Sequence, residues 1–129
     1  LKGEAIPLYG TGENIRDWLH VADHVDALLQ VLSKGTVGQN YNIGGSNERT
    51  NLEVATYICD YLDRATPKSD RTSYRKQIRF VGDRPGHDYR YVLNIEKIRT
   101  HLGWKPKYNF EDSLQNTINW YINRSKSGG

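Results

Sequence analysis

The sequence predicts a small mixed α/β domain of the α+β kind, and three observations lead there. Short runs of strand-forming residues alternate with longer segments whose apolar residues recur at helical spacing. Gly10-Thr11-Gly12, Gly35, Gly44-Gly45, Pro85-Gly86 and Gly103 punctuate the junctions between them. The 129 residues suffice for one core and not for two, and 36% hydrophobic with 26% charged residues is a folded globular balance without any run long enough to span a bilayer.

The elements follow in order. Residues 5–9 form a strand closed by a hairpin turn at Gly10-Thr11-Gly12. Residues 15–21 alternate as a second strand, with Ile15, Asp17, Leu19 and Val21 on one side. Asp23 is the expected N-cap of a helix whose buried face is Val25, Leu28, Leu29 and Leu32, and Gly35 stops it. Residues 40–43 form a short strand entering Gly44-Gly45. Thr50-Asn51-Leu52-Glu53 is a capping box, and Leu52, Ala55, Ile58, Cys59 and Leu62 continue as an apolar stripe. Residues 64–75 are a polar loop, and strands over 77–81 and 89–93 flank the turn-rich segment 83–88. Asn94 caps a short helix ended by Gly103. Asn109 caps a last helix with Leu114, Ile118, Tyr121 and Ile122 on its apolar face. One domain over 1–124 with a frayed tail over 125–129 is expected.

The chain has no methionine and opens on an ordinary mid-protein stretch, so it is expected to be a piece of a longer polypeptide. Its single cysteine, Cys59, is expected as a buried thiol on a helix face, which fits a reducing, cytoplasmic setting. Net charge is +3, and Arg71, Arg75, Lys76, Arg79, Arg84 and Arg90 concentrate positive charge in one stretch. That stretch suits either an anionic ligand or a solvated surface.

Several chemistries lack their residues. Gly10-x-Gly12 has no third glycine and leads into a strand, so it is not a dinucleotide fingerprint. No tyrosine is followed four residues later by a lysine, so that acid–base pair is absent, as are a Gly-x-Ser-x-Gly elbow and any zinc spacing. His20 and His24 fall on different elements and need not converge on a metal. Three segments remain. Arg16 can fork onto a phosphate or pair with Asp17 or another carboxylate. Gly44-Gly45, before a capped helix, suits an anion-binding loop or a plain connection. In Gly82-Asp83-Arg84-Pro85-Gly86-His87-Asp88, Pro85 and Gly86 set a turn that presents Arg84 and His87 together, which suits a diphosphate better than a plain turn whose polar residues face water.

Three motifs carry a family resemblance. Pro7-Leu8-Tyr9-Gly10-x-Gly12-x-Asn14-Ile15-Arg16-Asp17-Trp18 resembles the start of the nucleotide-sugar domain in extended short-chain dehydrogenases. Tyr41-Asn42-Ile43-Gly44-Gly45-x-Asn47-Glu48-x-x-Asn51-Leu52 and Asp83-Arg84-Pro85-Gly86-His87-Asp88-x-Arg90-Tyr91 resemble the dTDP-glucose 4,6-dehydratases in particular. Leu102-Gly103-Trp104-x-Pro106 and Trp120-Tyr121 extend the likeness over nearly the whole chain.

The resemblance implies a C-terminal substrate-binding domain without its Rossmann domain. It implies a thymine pocket of Pro7, Leu8 and Tyr9, a diphosphate contact from Arg16 and a nucleotide contact from Asn51. It implies an anion clamp of Arg84 and His87 framed by Asp83, Pro85 and Gly86, with a further hydroxyl from Tyr121. The parent reaction in that family is an NAD-dependent conversion of dTDP-glucose to dTDP-4-keto-6-deoxyglucose in deoxysugar biosynthesis, by a homodimer. The catalytic groups and the NAD site belong to the larger N-terminal domain. This chain is therefore expected to bind dTDP-glucose or another nucleotide sugar, and to hold no catalytic residue, metal or cofactor of its own. A UDP-sugar epimerase or decarboxylase relative is the alternative enzyme. A single-stranded nucleic-acid module, with Tyr74, Phe80, Tyr89 and Tyr91 as stacking partners, is the alternative binder.

Overall fold

The computed structural model describes residues 1–127. Its elements are β1 (Ile6–Tyr9), β2 (Ile15–Asp17), α1 (Val21–Lys34), β3 (Glu48–Thr50), α2 (Asn51–Ala65), a 3-10 turn (Tyr74–Gln77), β4 (Ile78–Val81), β5 (Arg90–Tyr91), α3 (Glu96–Leu102) and α4 (Phe110–Lys126). They make a mixed α/β fold with two small sheets. β1 pairs in parallel with β4, Ile6 opposite Ile78 and Tyr9 opposite Val81. β2 is the centre of the other sheet, antiparallel to β3 and parallel to β5. The Gly10–Gly12 turn is thus not a hairpin, because β1 and β2 enter different sheets.

Two cores hold this together. In one, Cys59 and Leu62 of α2 meet Tyr74 and Ile118 and Ile122 of α4, with Ile6 and Ile78 closing in from the β1–β4 pair. Cys59 is fully buried and its thiol is pushed up, first by desolvation. In the other core, Ala27 of α1 meets Ile98 of α3 and Trp104.

The structure departs from expectation where tertiary contacts outweigh local signals. The expected strand at 15–21 ends at Asp17, and α1 begins at Val21. His20 is its N-cap, accepting the Ala22 N–H at Nδ1 (3.3 Å). Asp23 is instead a buried residue of the first turn, whose carboxylate accepts the backbone N–H of Lys107 (3.0 Å) and of Tyr108 (3.1 Å). These bonds satisfy a carboxylate that burial would otherwise penalise, and they tie the lead-in of α4 to α1.

Helix α1 packs through Ala27 and Val31, whereas Val25, Leu28, Leu29 and Leu32 are exposed, Leu32 at 85%. It carries two apolar stripes, and the stronger one faces out. Residues 40–43 are irregular, and the strand expected over 89–93 shrinks to Arg90–Tyr91. Thr50 and Glu53 form the full capping box. Asn94 Oδ1 accepts the Glu96 N–H (2.8 Å), although the cap position belongs to Ile95. Asn109 caps α4 as expected. That helix continues through Lys126, past the point where fraying was expected, and residues 128–129 of that tail lie outside the described residues.

Candidate functional site

Four chain segments meet at one end of the two sheets, and backbone hydrogen bonds weld them together. Asn14 is buried, and its side-chain amide donates to the Asp88 carbonyl (3.3 Å). The same carbonyl accepts Arg16 Nη2 (3.0 Å). Asn51 N–H donates to the Asn14 carbonyl (3.1 Å), and Leu52 N–H to that of Gly12 (2.9 Å). Ile15 N–H donates to Tyr89 (2.7 Å) and Gly10 N–H to Val81 (3.0 Å). The turn after β1, strand β2, the start of α2 and the 83–88 loop therefore form one unit. Arg16, Asn51 and Arg84, far apart in sequence, arrive at it together.

Tyr9 is its pivot. The Arg84 guanidinium lies 5.9 Å from the Tyr9 ring centroid, and the His87 ring stands edge-on to it at 5.9 Å. Tyr9 also lines a cleft of about 330 Å³ with Pro7, Leu8, Trp18, Asn51, Val54 and Ala55. That cleft is mostly apolar with one amide side chain, Asn51, a lining suited to a flat heterocycle. Tyr9 thus contacts Arg84 and His87 and also lines the apolar cleft.

Arg16 does not pair with Asp17. Its guanidinium donates to two backbone carbonyls, Ile15 (2.7 Å) and Asp88 (3.0 Å), and forms no ion pair among the described residues. Asp17 is occupied elsewhere: Oδ2 accepts Gly45 N–H and Oδ1 accepts Asn47 N–H, each at 2.8 Å. The Gly44-Gly45 loop therefore holds an internal carboxylate, not a free anion. A Cβ on Gly44 would meet Asp17 and one on Gly45 would meet the Trp18 carbonyl, so both glycines are there for close approach. Strand alternation puts Asp17, Glu48 and Arg90 on one face and Arg16 on the other, by the register of β2 with β3 and β5.

Other charges are neutralised. Arg90 forks onto Glu48 at 2.7 Å through both nitrogens, which draws the Glu48 carboxyl below its ordinary value. Arg75 forks onto Asp60 with the same effect on that carboxyl. Arg79 turns back onto the Lys76 and Ile78 carbonyls. Of the basic stretch, Arg75 and Arg90 are thus matched by carboxylates, whereas Arg71, Lys76, Arg79 and Arg84 have no carboxylate partner among the described residues.

Within the 83–88 loop, Gly86 takes a left-handed φ of 69° and the His87 N–H donates to the Arg84 carbonyl (3.3 Å), so Pro85-Gly86 forms the expected turn. Asp83 Oδ1 accepts Arg84 N–H (2.9 Å) and contacts His87 Nδ1 (2.7 Å). The Asp83 carboxyl is held below its ordinary value, chiefly by that contact with His87.

Tyr121 does not join the group. It is 58% exposed on α4, packed edge-on against Trp120 at 4.8 Å, not on the helix's buried face. The alternation of Ile118 and Ile122 with a tyrosine at helical spacing suggested burial, but α4 is covered on too narrow a side to include it. Sequence reading assigned no site role to Asn14, Trp18 or the Asp88 carbonyl. Asn14 and Trp18 sit in the first motif, and their contribution becomes visible only through pairing with distant segments.

A larger cleft, about 680 Å³, is lined by residues such as Asn47, Arg99, Lys105 and Lys107 and includes none of the expected site residues. The Gly10-Thr11-Gly12 turn does not have the geometry of a dinucleotide-binding turn. Gly10 packs on Asp83, Gly12 packs on Leu8 and Leu52, and the turn runs into β2 instead of a helix N-terminus. Among the described residues no cluster of His, Cys, Asp or Glu could ligate a metal, and no helix is long and apolar enough to cross a membrane.

The family model described as GDP-mannose 4,6 dehydratase matches residues 1–117. The chain is similar to dTDP-glucose 4,6-dehydratase 1 of Escherichia coli (strain K12), with 51% identity over 98% of this chain and 34% of that protein. Among solved structures it is similar to the dTDP-glucose 4,6-dehydratase of Bacillus anthracis str. Ames in complex with NAD, at a TM-score of 0.81 and 46% identity over 97% of this chain and 37% of that one. It is similar also to a dTDP-glucose 4,6-dehydratase of Streptomyces venezuelae, at a TM-score of 0.83 and 39% identity over 94% of this chain and 35% of that one. The chain spans about a third of the length of these relatives.

Proposed function

This chain belongs to the GDP-mannose 4,6 dehydratase family and resembles its dTDP-glucose 4,6-dehydratases, and from that membership we propose that it is the nucleotide-sugar-binding lobe of an NAD-dependent dTDP-glucose 4,6-dehydratase of the cytoplasm. The observation that carries the reading is the position of Tyr9, which lines the apolar cleft and contacts both Arg84 and His87. A nucleoside diphosphate has the same polarity: a flat base, then a doubly charged diphosphate.

In this reading Pro7, Leu8 and Tyr9 receive the base and Asn51 hydrogen-bonds it. Arg16, Arg84 and His87 take the diphosphate on the loop framed by Asp83, Pro85 and Gly86. Their cationic and N–H donors face oxygens that only accept, which gives charge-assisted bonds of the stronger kind. The hexose is thereby held in register for oxidation at C4, loss of water across C5 and C6 and return of hydride to C6. NAD supplies the hydride chemistry, and the groups that perform it belong to the other lobe, in a dimeric enzyme. Binding energy from these remote contacts is what this chain contributes to the rate.

The test is steady-state kinetics of the full-length enzyme. Arg16→Ala removes a charged donor and should raise KM for dTDP-glucose roughly 10- to 100-fold, as expected for a charge-assisted bond of about 1.5–3 kcal/mol. An unchanged KM would remove Arg16 from the site. UDP-glucose should compete poorly with dTDP-glucose, and a preference for UDP-glucose would favour an epimerase-type relative.

A further inference from the structure

The Asp83–His87 contact carries more than a frame for the loop. A carboxylate only accepts, so at 2.7 Å from Asp83 Oδ1 the Nδ1 atom of His87 carries the hydrogen. Asp83 is itself anchored, by the Arg84 N–H at 2.9 Å and by close packing of Oδ2 against Gly10. The His87 side chain is 4% exposed, with Tyr9 edge-on against it. With Nδ1 donating to Asp83, Nε2 is the ring's only polar atom left for a ligand. Nε2 has no hydrogen bond among the described residues and is not sealed from solvent.

A neutral ring protonated at Nδ1 presents a lone pair at Nε2. Diphosphate oxygens also present lone pairs, so the two repel. A favourable contact requires hydrogen on both nitrogens, which is the imidazolium. Asp83 on its own loop and Tyr9 from β1 contact the ring, and Arg84 contacts Tyr9. Arg16 of β2 reaches the same loop at the Asp88 carbonyl. A diphosphate held at Nε2 places negative charge beside the ring and so favours the imidazolium.

We propose that Asp83 is a positioning residue that fixes the His87 ring and supports its charge, so that a nucleoside diphosphate binds with uptake of one proton at His87 Nε2. This rests on the site reading above, with the diphosphate on the 83–88 loop. The proton comes from solvent, and no bond in the ligand changes.

The experiment uses the full-length enzyme and the phenyl ester of dTDP. That ligand's diphosphate is a diester without a proton that titrates near neutrality, and it has no hexose to react. Calorimetric titrations near pH 8, in buffers of different ionisation enthalpy, read the protons taken up. The wild type should approach about one proton per site, and its affinity should fall by up to about tenfold per pH unit on the alkaline side. His87→Gln keeps a donor that needs no added proton, so uptake should vanish and affinity should become flat with pH.

Asp83→Asn should keep an acceptor for Nδ1 but lose the charge, moving the alkaline fall in affinity to lower pH. Unaltered melting temperatures for both variants would show that the effects are not unfolding. Zero uptake by the wild type, or uptake that survives His87→Gln, overturns the proposal. Arg16→Ala separates the layers. If it weakens binding while the wild type takes up no proton, only the coupling is lost. If it leaves affinity for this ligand unchanged, the site reading is lost as well.

Discussion

At the scale of single residues, the site is defined by which partners each polar group already has. Arg16 spends its donors on carbonyls and keeps its full charge, whereas Arg90 and Arg75 are each matched by a carboxylate. Arg16→Lys should therefore bind substrate more weakly than the wild type even though charge is conserved, because an ammonium cannot hold the Asp88 carbonyl and fork toward a phosphate together. KM for dTDP-glucose reads this.

Gly45 is a second sensitive point. A methyl group there would strike the Trp18 carbonyl, a backbone atom that cannot step aside. Gly45→Ala should cost about 1–3 kcal/mol, seen as a lower midpoint in urea unfolding. An unchanged midpoint would mean that the Asp17-stapled loop has slack.

The carboxylates Glu48, Asp60 and Asp83 have a common sign. Each is held below its ordinary value by a hydrogen bond from Arg90, Arg75 and His87 respectively. A depressed folded-state value means stability that is present above the unfolded value and is lost as pH falls through the folded one. Thermal melts should thus show falling stability below about pH 4, with no pH dependence from the titration of these three carboxylates between about pH 6 and 8. Removing Glu48 by Glu48→Gln should flatten part of the acid limb.

At the scale of elements, the helix starts show how local and tertiary signals compete. The start of α2 was set locally, since Thr50 and Glu53 satisfy each other's backbone N–H groups within four residues. Thr50→Ala should cost about 1 kcal/mol, and, because Asn51 and Leu52 carry the bonds to Asn14 and Gly12, it should also weaken nucleotide binding. Comparing the melting temperature with KM separates the two effects.

The start of α1 was not set locally. Asp23 has the chemistry of a cap, but its carboxylate is drawn to Lys107 and Tyr108 more than eighty positions away, and His20 takes the cap. The strands differ in the same way. Three-residue β2 survives because partners flank it on both sides, while the β-prone run at residues 40–43 finds no partner and stays irregular.

At the scale of the molecule, the notable feature is the outer face of α1. Val21, Leu28, Leu29 and Leu32 are each at least half exposed, on a helix whose other side is already packed. Apolar faces of this kind are covered in stable assemblies or cause association. The 129-residue chain expressed alone should run above its monomer mass in light scattering, and Leu29→Lys with Leu32→Lys should return it toward the monomer. A monomeric wild-type chain would contradict this. The chain alone should also show no dehydratase turnover, because in the proposed reading the groups that perform the chemistry belong to the other lobe.

What the sequence by itself determined was what is carried by neighbours in the chain: the Thr50–Glu53 capping box, the Pro85-Gly86 turn, the mixed α/β class and the burial of Cys59. Only the tertiary structure decided which of two apolar stripes on α1 is covered, that Asp17 and not a ligand fills the Gly44-Gly45 loop, and that Tyr121 stands apart. The physical reason is range. A cap or a turn closes within four residues and is written in its own spacing. The choice of a partner for Asp17, Asp23 or Asn14 depends on groups dozens of residues away, whose approach is set by packing of both cores at once.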